Sequence, residues 1–149
     1  MKIPPQNAGL NMKTSKFIRV NPHLPVRDLR QTLDYYRHKL GFYEEWTWTD
    51  DKGMITDGGI RRDDMRLLFG EDPEFVEIVN SYQNSRLPLM WFVENIEGIF
   101  SEFQNRGITI VDTLKTHSYG LKEFSFVDIN GYFIRVAEST ENDERATHY

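Results

Sequence analysis

The sequence predicts an α+β fold made of two tandem βαβββ modules, and three observations carry that prediction. First, Val26-Arg27-Asp28-Leu29 opens a helical pattern closed by Gly41, and Val93-Glu94-Asn95-Ile96 opens a second one closed by Gly107, an offset of 67 residues. Second, each copy has a strand-like run before its helix and several short strands after it. Third, the repeat occurs only twice, so it marks a module duplicated within one domain; a solenoid needs at least three repeats. Two half-domains of this kind meet at a shared cleft, which is where function is to be sought.

The elements follow in order. Residues 1–16 hold Pro4-Pro5 and no periodicity, and read as a flexible arm. Phe17 to Val26 is expected as a strand, with Pro22 and Pro25 marking irregularity or an edge. Asp28 followed by Gln31 has the form of a capping box, with Asp in place of Ser or Thr. Leu29, Leu33, Tyr36 and Leu40 then share one helical face. Phe42 to Thr49, Met54 to Ile60 and Met65 to Phe69 are expected strands, completing module one over residues 17–69. Residues 70–86 are polar and mixed, and read as a linking loop with at most one helical turn. Module two spans residues 87–138: a strand to Val93, a helix capped by Asn95 with Ile96, Ile99, Phe100 and Phe103 on one face, and three strands. The last two of these strands turn at Asn130-Gly131, a hairpin signal because both residue types tolerate positive φ. Residues 139–149 form a charged tail.

Composition narrows the function. A chain of 149 residues is one domain by its length and can bury a core without staples. It has no cysteine, which excludes disulfides, thiolate metal sites and cysteine nucleophiles. No apolar run approaches a membrane span, and the polar N-terminus lacks an apolar signal core, so a cytoplasmic protein without membrane partners is expected. The net charge of −5 disfavours nucleic acid, which needs clustered Lys and Arg. Aromatic content of 13% exceeds nothing a core could not use, but it also supplies the few plates that a pocket needs.

Two stretches resemble a family. Leu24-Pro25-Val26-Arg27-Asp28-Leu29, then Tyr35-Tyr36-Arg37 and Leu40-Gly41-Phe42, resemble the opening of vicinal-oxygen-chelate proteins: glyoxalases, extradiol dioxygenases, and fosfomycin- and bleomycin-resistance proteins. Tyr119-Gly120-Leu121-Lys122-Glu123-Phe124, with Asp128-Ile129-Asn130-Gly131-Tyr132-Phe133-Ile134-Arg135, is similar to the last hairpin of the bleomycin-resistance branch. The resemblance covers residues 17–138. It implies a half-open sheet around a cleft, commonly paired in a homodimer.

The superfamily holds enzymes and non-enzymes, so the metal positions are the test. Carried over residue by residue, the first-strand ligand positions fall at Asn21 and Pro88 and the last-strand position at Arg135, while Met65 to Phe69 offers no carboxylate or His. A guanidinium cannot ligate a cation. Of the four His, His38 lies on a charged helix face and His148 in the tail, leaving His23 and His117. No metal, cofactor or catalytic residue is therefore expected. Glu44, Glu45, Asp57 and Glu123 show no spacing of a catalytic pair, Asp50-Asp51 and Asp63-Asp64 read as hydrophilic turns, and Gly58-Gly59 as a local backbone feature.

The expected site is a binding cleft. Trp46 and Trp48 stand at i, i+2 and share a strand face, either the open face or the one under the helix. Trp91 reads equally as core or cleft. Phe133 and Arg135 share the face that holds metal in related enzymes, and Tyr119 sits where the bleomycin-resistance branch has an aromatic before Gly. Arg135 would pair with an acidic residue or with a ligand carboxylate. The resemblance thus implies a non-catalytic antibiotic-resistance protein that sequesters a small molecule, such as a glycopeptide antibiotic, in an aromatic, mildly acidic cleft. The alternative is a divergent metal-dependent glyoxalase- or dioxygenase-type enzyme using His23, His117 and a carboxylate such as Glu123.

Overall fold

A computed structural model describes residues 14–82 and 88–140. The expectations for residues 1–13, 83–87 and 141–149, His148 included, lie outside the described residues.

Module one runs β1 (His23–Val26), α1 (Leu29–Leu40), β2 (Tyr43–Thr49), β3 (Ile55–Arg62) and β4 (Met65–Glu71). Helix α2 (Pro73–Ser81) follows. Module two runs β5 (Leu89–Phe92), α3 (Ile96–Asn105), β6 (Ile110–Thr116), β7 (Leu121–Val127) and β8 (Phe133–Ser139). Each module is an open four-stranded mixed sheet, ordered β1-β4-β3-β2 and β5-β8-β7-β6. The first and last strands of each module pair in parallel, and the rest are antiparallel. That is the repeat seen in the sequence.

Local chemistry sets the helix ends. The Asp28 carboxylate accepts from Gln31 N at 2.8 Å, and Glu71 from the end of β4 accepts from Leu29 N at 3.1 Å. Such caps are worth about 1 kcal/mol each. Gly41 closes α1 at φ 77°, the left-handed conformation that lets Phe42 N reach back to Tyr36 O at 3.0 Å. The expected Asn95 cap is not made by its side chain. Asn95 adopts φ 56°, and Glu138 of β8 accepts from Asn95 N at 2.7 Å and Ile96 N at 3.2 Å instead. Glu71 and Glu138 are thus the same device, 67 residues apart.

Three further expectations are corrected. The first strand is only four residues long and starts at His23. The linking loop contains α2, nine residues long, with Asp72 capping Phe75 N at 3.1 Å, Pro73 at the first helical position and Val76 buried under it. At the last hairpin only Gly131 takes positive φ, at 87°. Asn130 is buried, and its side chain joins the modules: its Oδ1 accepts from Arg27 N at 2.9 Å and its Nδ2 donates to Thr32 Oγ1 at 3.0 Å.

One core serves both sheets. Leu29, Leu33 and Tyr36 of α1 and Phe103 of α3 meet Phe69, Trp91 and Phe126 from the helix-side faces of the strands. Trp91 lies 5.7 Å from Phe42 and 5.5 Å from Phe126, centroid to centroid, so it is core. Burying each such side chain contributes about 1.5–3 kcal/mol. The Tyr36 hydroxyl donates to Asp128 at 2.6 Å inside this core. Burial pushes the Asp128 carboxyl up to about 6, against the bonds it accepts from Tyr36 and the turn N–H groups. Alternation along each strand then leaves the opposite face of each sheet uncovered by a helix.

Candidate functional site

On module two, β7 places Phe124 and Phe126 in the core, so Glu123 and Ser125 must face the open side. Likewise β8 buries Ile134 and Val136 and turns Phe133 and Arg135 outward. Register sets Ser125 opposite Arg135 and Glu123 opposite Ala137. Val111, Asp112 and Lys115 come from β6, and His117 and Tyr119 from the turn after it. Together these line a cavity of about 540 Å³ on the open face of the sheet.

A four-residue polar cluster forms its wall. Arg135 donates twice to Glu123 Oε1, from Nε at 3.0 Å and from Nη2 at 2.6 Å. Tyr119 donates its hydroxyl proton to Glu123 Oε2 and accepts from Arg135 Nη2 at 3.3 Å. The His117 ring stacks on Tyr119 at 4.8 Å and 15°, with Nε2 3.7 Å from Glu123. Glu123 is 4% exposed while the Arg135 side chain is 33% exposed, so the carboxylate is sealed beneath the cation. Burial, and then the hydrogen bond to Glu123, raise the Tyr119 hydroxyl above its usual value. Burial works against the Arg135 charge, but the Glu123 bonds and attraction outweigh it and hold the guanidinium above its usual value. Among the described residues Nη1 of Arg135 has no acceptor, which leaves one donor edge for a ligand.

The structure brings Tyr119, Phe133 and Arg135 together as the sequence suggests, and answers the Arg135 alternative with Glu123. Trp46 and Trp48 are not in that cavity. They lie on the open face of the other sheet: Gly58 faces Leu33 of α1, whereas a Cβ on the neighbouring Gly59 would overlap the Trp46 indole. Both are exposed, at 45% and 63%, so neither packs under the helix. His23 shares their sheet, 3.9 Å from Asp57. Sequence reasoning missed Asp112, whose carboxylate accepts the Ser125 hydroxyl proton while Asp112 N donates to Ser125 Oγ at 3.2 Å. The Glu123-Phe124-Ser125-Phe126 alternation was the available signal for that face. With Asp112 and Glu123 against Lys115 and Arg135, the lining is charge-balanced and not acidic.

The residues present do not fit a metal. Among the described residues no three His, Asp or Glu converge on a point. His117 and Glu123 do meet, but the guanidinium of Arg135 occupies the carboxylate they would offer. His23 is on the other sheet, and Asn21 and Pro88 lie outside β1 and β5.

The family model for the Glyoxalase/Bleomycin resistance protein/Dioxygenase superfamily matches residues 16–136. The chain belongs to that superfamily. No curated protein matches it by sequence. Among solved structures, a bleomycin-binding protein complexed with bleomycin has a TM-score of 0.65 at 19% identity, covering 83% of this chain and 99% of that one. A bleomycin resistance determinant encoded on the transposon Tn5 gives 0.65 at 19%, covering 83% and 98%. A glyoxalase-related enzyme from Clostridium phytofermentans gives 0.65 at 16%, covering 85% and 99%. The superfamily member therefore shares its fold with binders and enzymes alike. Among its described residues no helix is long and apolar enough to cross a membrane.

Proposed function

We propose that this superfamily member binds and sequesters a small molecule without chemically changing it, as the bleomycin-resistance proteins it resembles are expected to do. The observation that carries this reading is the Arg135–Glu123 pair. The side chain at the family's last-strand ligand position is a cation, and it is already neutralised by the nearest carboxylate at 2.6 Å. That arrangement disfavours a bound divalent ion and favours a fixed, polar wall beside aromatic plates. Tyr119, stacked with His117, and Phe133 supply the plates, and the free Nη1 edge of Arg135 supplies one directional contact.

The protein acts as a homodimer in this reading. Each sheet has an open face, one carrying the exposed Trp46 and Trp48 and the other the cavity. Placing the tryptophan face of one protomer over the cavity face of its partner would cover both and complete an aromatic cleft of two walls. The ligand class is a planar, heteroaromatic molecule such as the glycopeptide antibiotic bleomycin, held by stacking.

Thermal unfolding of chelator-treated protein with bleomycin tests this, with sedimentation reporting the oligomeric state. Binding to the folded form alone stabilises it by about 2.7 kcal/mol at a hundredfold excess over the dissociation constant. A saturable rise in midpoint supports sequestration. A flat response across bleomycin and related planar antibiotics, or a rise that requires an added divalent ion, overturns it.

A further inference from the structure

The two modules meet along two seams related by the internal repeat, and only one of them is filled. In the filled seam, the β7–β8 turn reaches the start of α1. Tyr132 donates to Pro25 O, Asn130 bridges Arg27 N and Thr32 Oγ1, and Asp128 takes the Tyr36 hydroxyl. Subtracting or adding the offset of 67 gives the other seam, where Met65 stands for Tyr132, Phe92 for Pro25, Glu94 for Arg27, Ile99 for Thr32 and Phe103 for Tyr36. None of these substitutes reproduces the polar bridge. The turn is also shorter: five residues separate the paired Val127 and Phe133, and four separate the corresponding pair Arg61 and Arg66. The result is a cavity of about 730 Å³ lined by the same substitutes together with Phe42 and Trp91.

That cavity has a floor, a donor and a rim. Phe42, Trp91 and Phe103 are each at most 5% exposed and make an apolar aromatic floor with Ile99. The Trp91 indole N–H has no hydrogen-bond acceptor among the described residues, yet no side-chain polar atom there is both sealed from solvent and unpartnered. It therefore opens onto the void that Trp91 lines. Asp63 and Glu94 sit at the rim and make no ion pair among the described residues, whereas the rim cation Arg62 is tied to Glu102 at 2.7 Å and to Leu40 O at 2.6 Å. A ligand oxygen there can take the hydrogen bond that the open indole N–H otherwise gives to water. The cavity shares no lining residue with the sheet-face cavity.

We propose that this unfilled seam is a second ligand site. It takes a compact aromatic amine: a ring against Phe42 and Phe103, an ether or carbonyl oxygen on the Trp91 N–H, and an ammonium at Asp63 and Glu94. Occupancy would join the β3–β4 turn to the start of α3 as Asn130 and Tyr132 join the opposite pair, so the ligand does for this seam what side chains do for the other.

The test uses the full chain, 15N-labelled, titrated with 4-methoxyphenethylamine while the indole N–H resonances of its three tryptophans are followed. Trp91→Phe assigns the relevant resonance. A saturable shift of the Trp91 resonance, with those of Trp46 and Trp48 unmoved, is expected. Met65→Tyr restores the counterpart of Tyr132 and should close the seam, abolishing the shift and raising the unfolding midpoint. Glu94→Gln, an exposed change, should weaken binding several-fold with the fold intact. A Trp91 resonance that stays fixed at millimolar probe overturns the proposal without any variant. So does a shift confined to Trp46 and Trp48, or one that Met65→Tyr and Glu94→Gln both leave unchanged.

Discussion

Removing Arg135 should cost far more stability than removing Glu123, and removing both should cost less than removing Arg135 alone. In Arg135→Met the Glu123 carboxylate, 4% exposed, loses both guanidinium bonds and keeps only Tyr119 and the distant His117 ring. Breaking a fully buried pair this way costs about 3–5 kcal/mol. Because the Arg135 side chain is 33% exposed, water replaces part of the lost interaction, which brings the figure to about 2–3 kcal/mol. In Glu123→Leu the surviving guanidinium rotates toward solvent, and the cost is about 1 kcal/mol. The double variant Arg135→Met, Glu123→Leu leaves no buried charge, so it should lie within about 1 kcal/mol of the parent protein. The coupling free energy is then about 2 kcal/mol or more, well above the few tenths seen for independent sites. Urea unfolding of the four proteins measures it, and in thermal unfolding of a chain of this size the Arg135→Met midpoint should fall by roughly 4–12 °C. Additive single effects, or a larger loss for Glu123→Leu than for Arg135→Met, would refute the account of a carboxylate sealed beneath its cation.

Asp128 should make stability pH-dependent. Its folded value of about 6 lies above the ordinary carboxyl value, so its proton stabilises the folded state fully below pH ~4 and that contribution is lost as pH rises through 6. The swing is about 3 kcal/mol, and Asp128→Asn should flatten it in unfolding curves taken from pH 4 to 7. Gly131→Ala should destabilise by about 2–3 kcal/mol, because φ is 87° and the new Cβ would collide with Asn80 Oδ1, which belongs to the side chain that also bonds Asn130 O at 2.9 Å. Gly53→Ala, at φ 79° with nothing within 4 Å, should cost only about 1 kcal/mol, and equal losses at the two glycines would contradict the clash. Trp46→Ala and Trp48→Ala should change the unfolding free energy by about 0.5 kcal/mol or less while weakening ligand binding, since both rings are exposed.

The duplicated fold was legible because the repeat is written in local signals. Asp28 caps α1 through its own side chain, Gly41 stops it in the left-handed conformation, and the apolar spacing between them survives in the core. Signals that act at a distance were not legible. Asn95 looked like a cap, but the caps of both module helices come partly from carboxylates on the last strand of each module, Glu71 and Glu138, more than 40 residues away. Helix α2 carried its markers, Asp72-Pro73 and Glu74, and an apolar i, i+3, i+4, i+7 stripe of Phe75, Ile78, Val79 and Tyr82, so it was legible and missed. Phe75, Ile78 and Tyr82 stay exposed, and only Val76 is buried. The face of Trp46 and Trp48 depends on a bulge between Glu44 and Trp46 that parity alone cannot place. Of the cavity lining, Tyr119, Phe133 and Arg135 were singled out through the resemblance, whereas the sealing of Glu123 needed the β7–β8 register.

The central claim is that the sheet-face cleft binds a small molecule with no metal ion. Calorimetric titration of the chelator-treated protein with bleomycin, beside Tyr119→Ala, tests it most directly. The account expects saturable heat with about one site per chain, lost or strongly reduced in the variant, and unchanged when chelator is added in excess. Heat that appears only after a divalent ion is supplied, or that Tyr119→Ala leaves untouched, would contradict it.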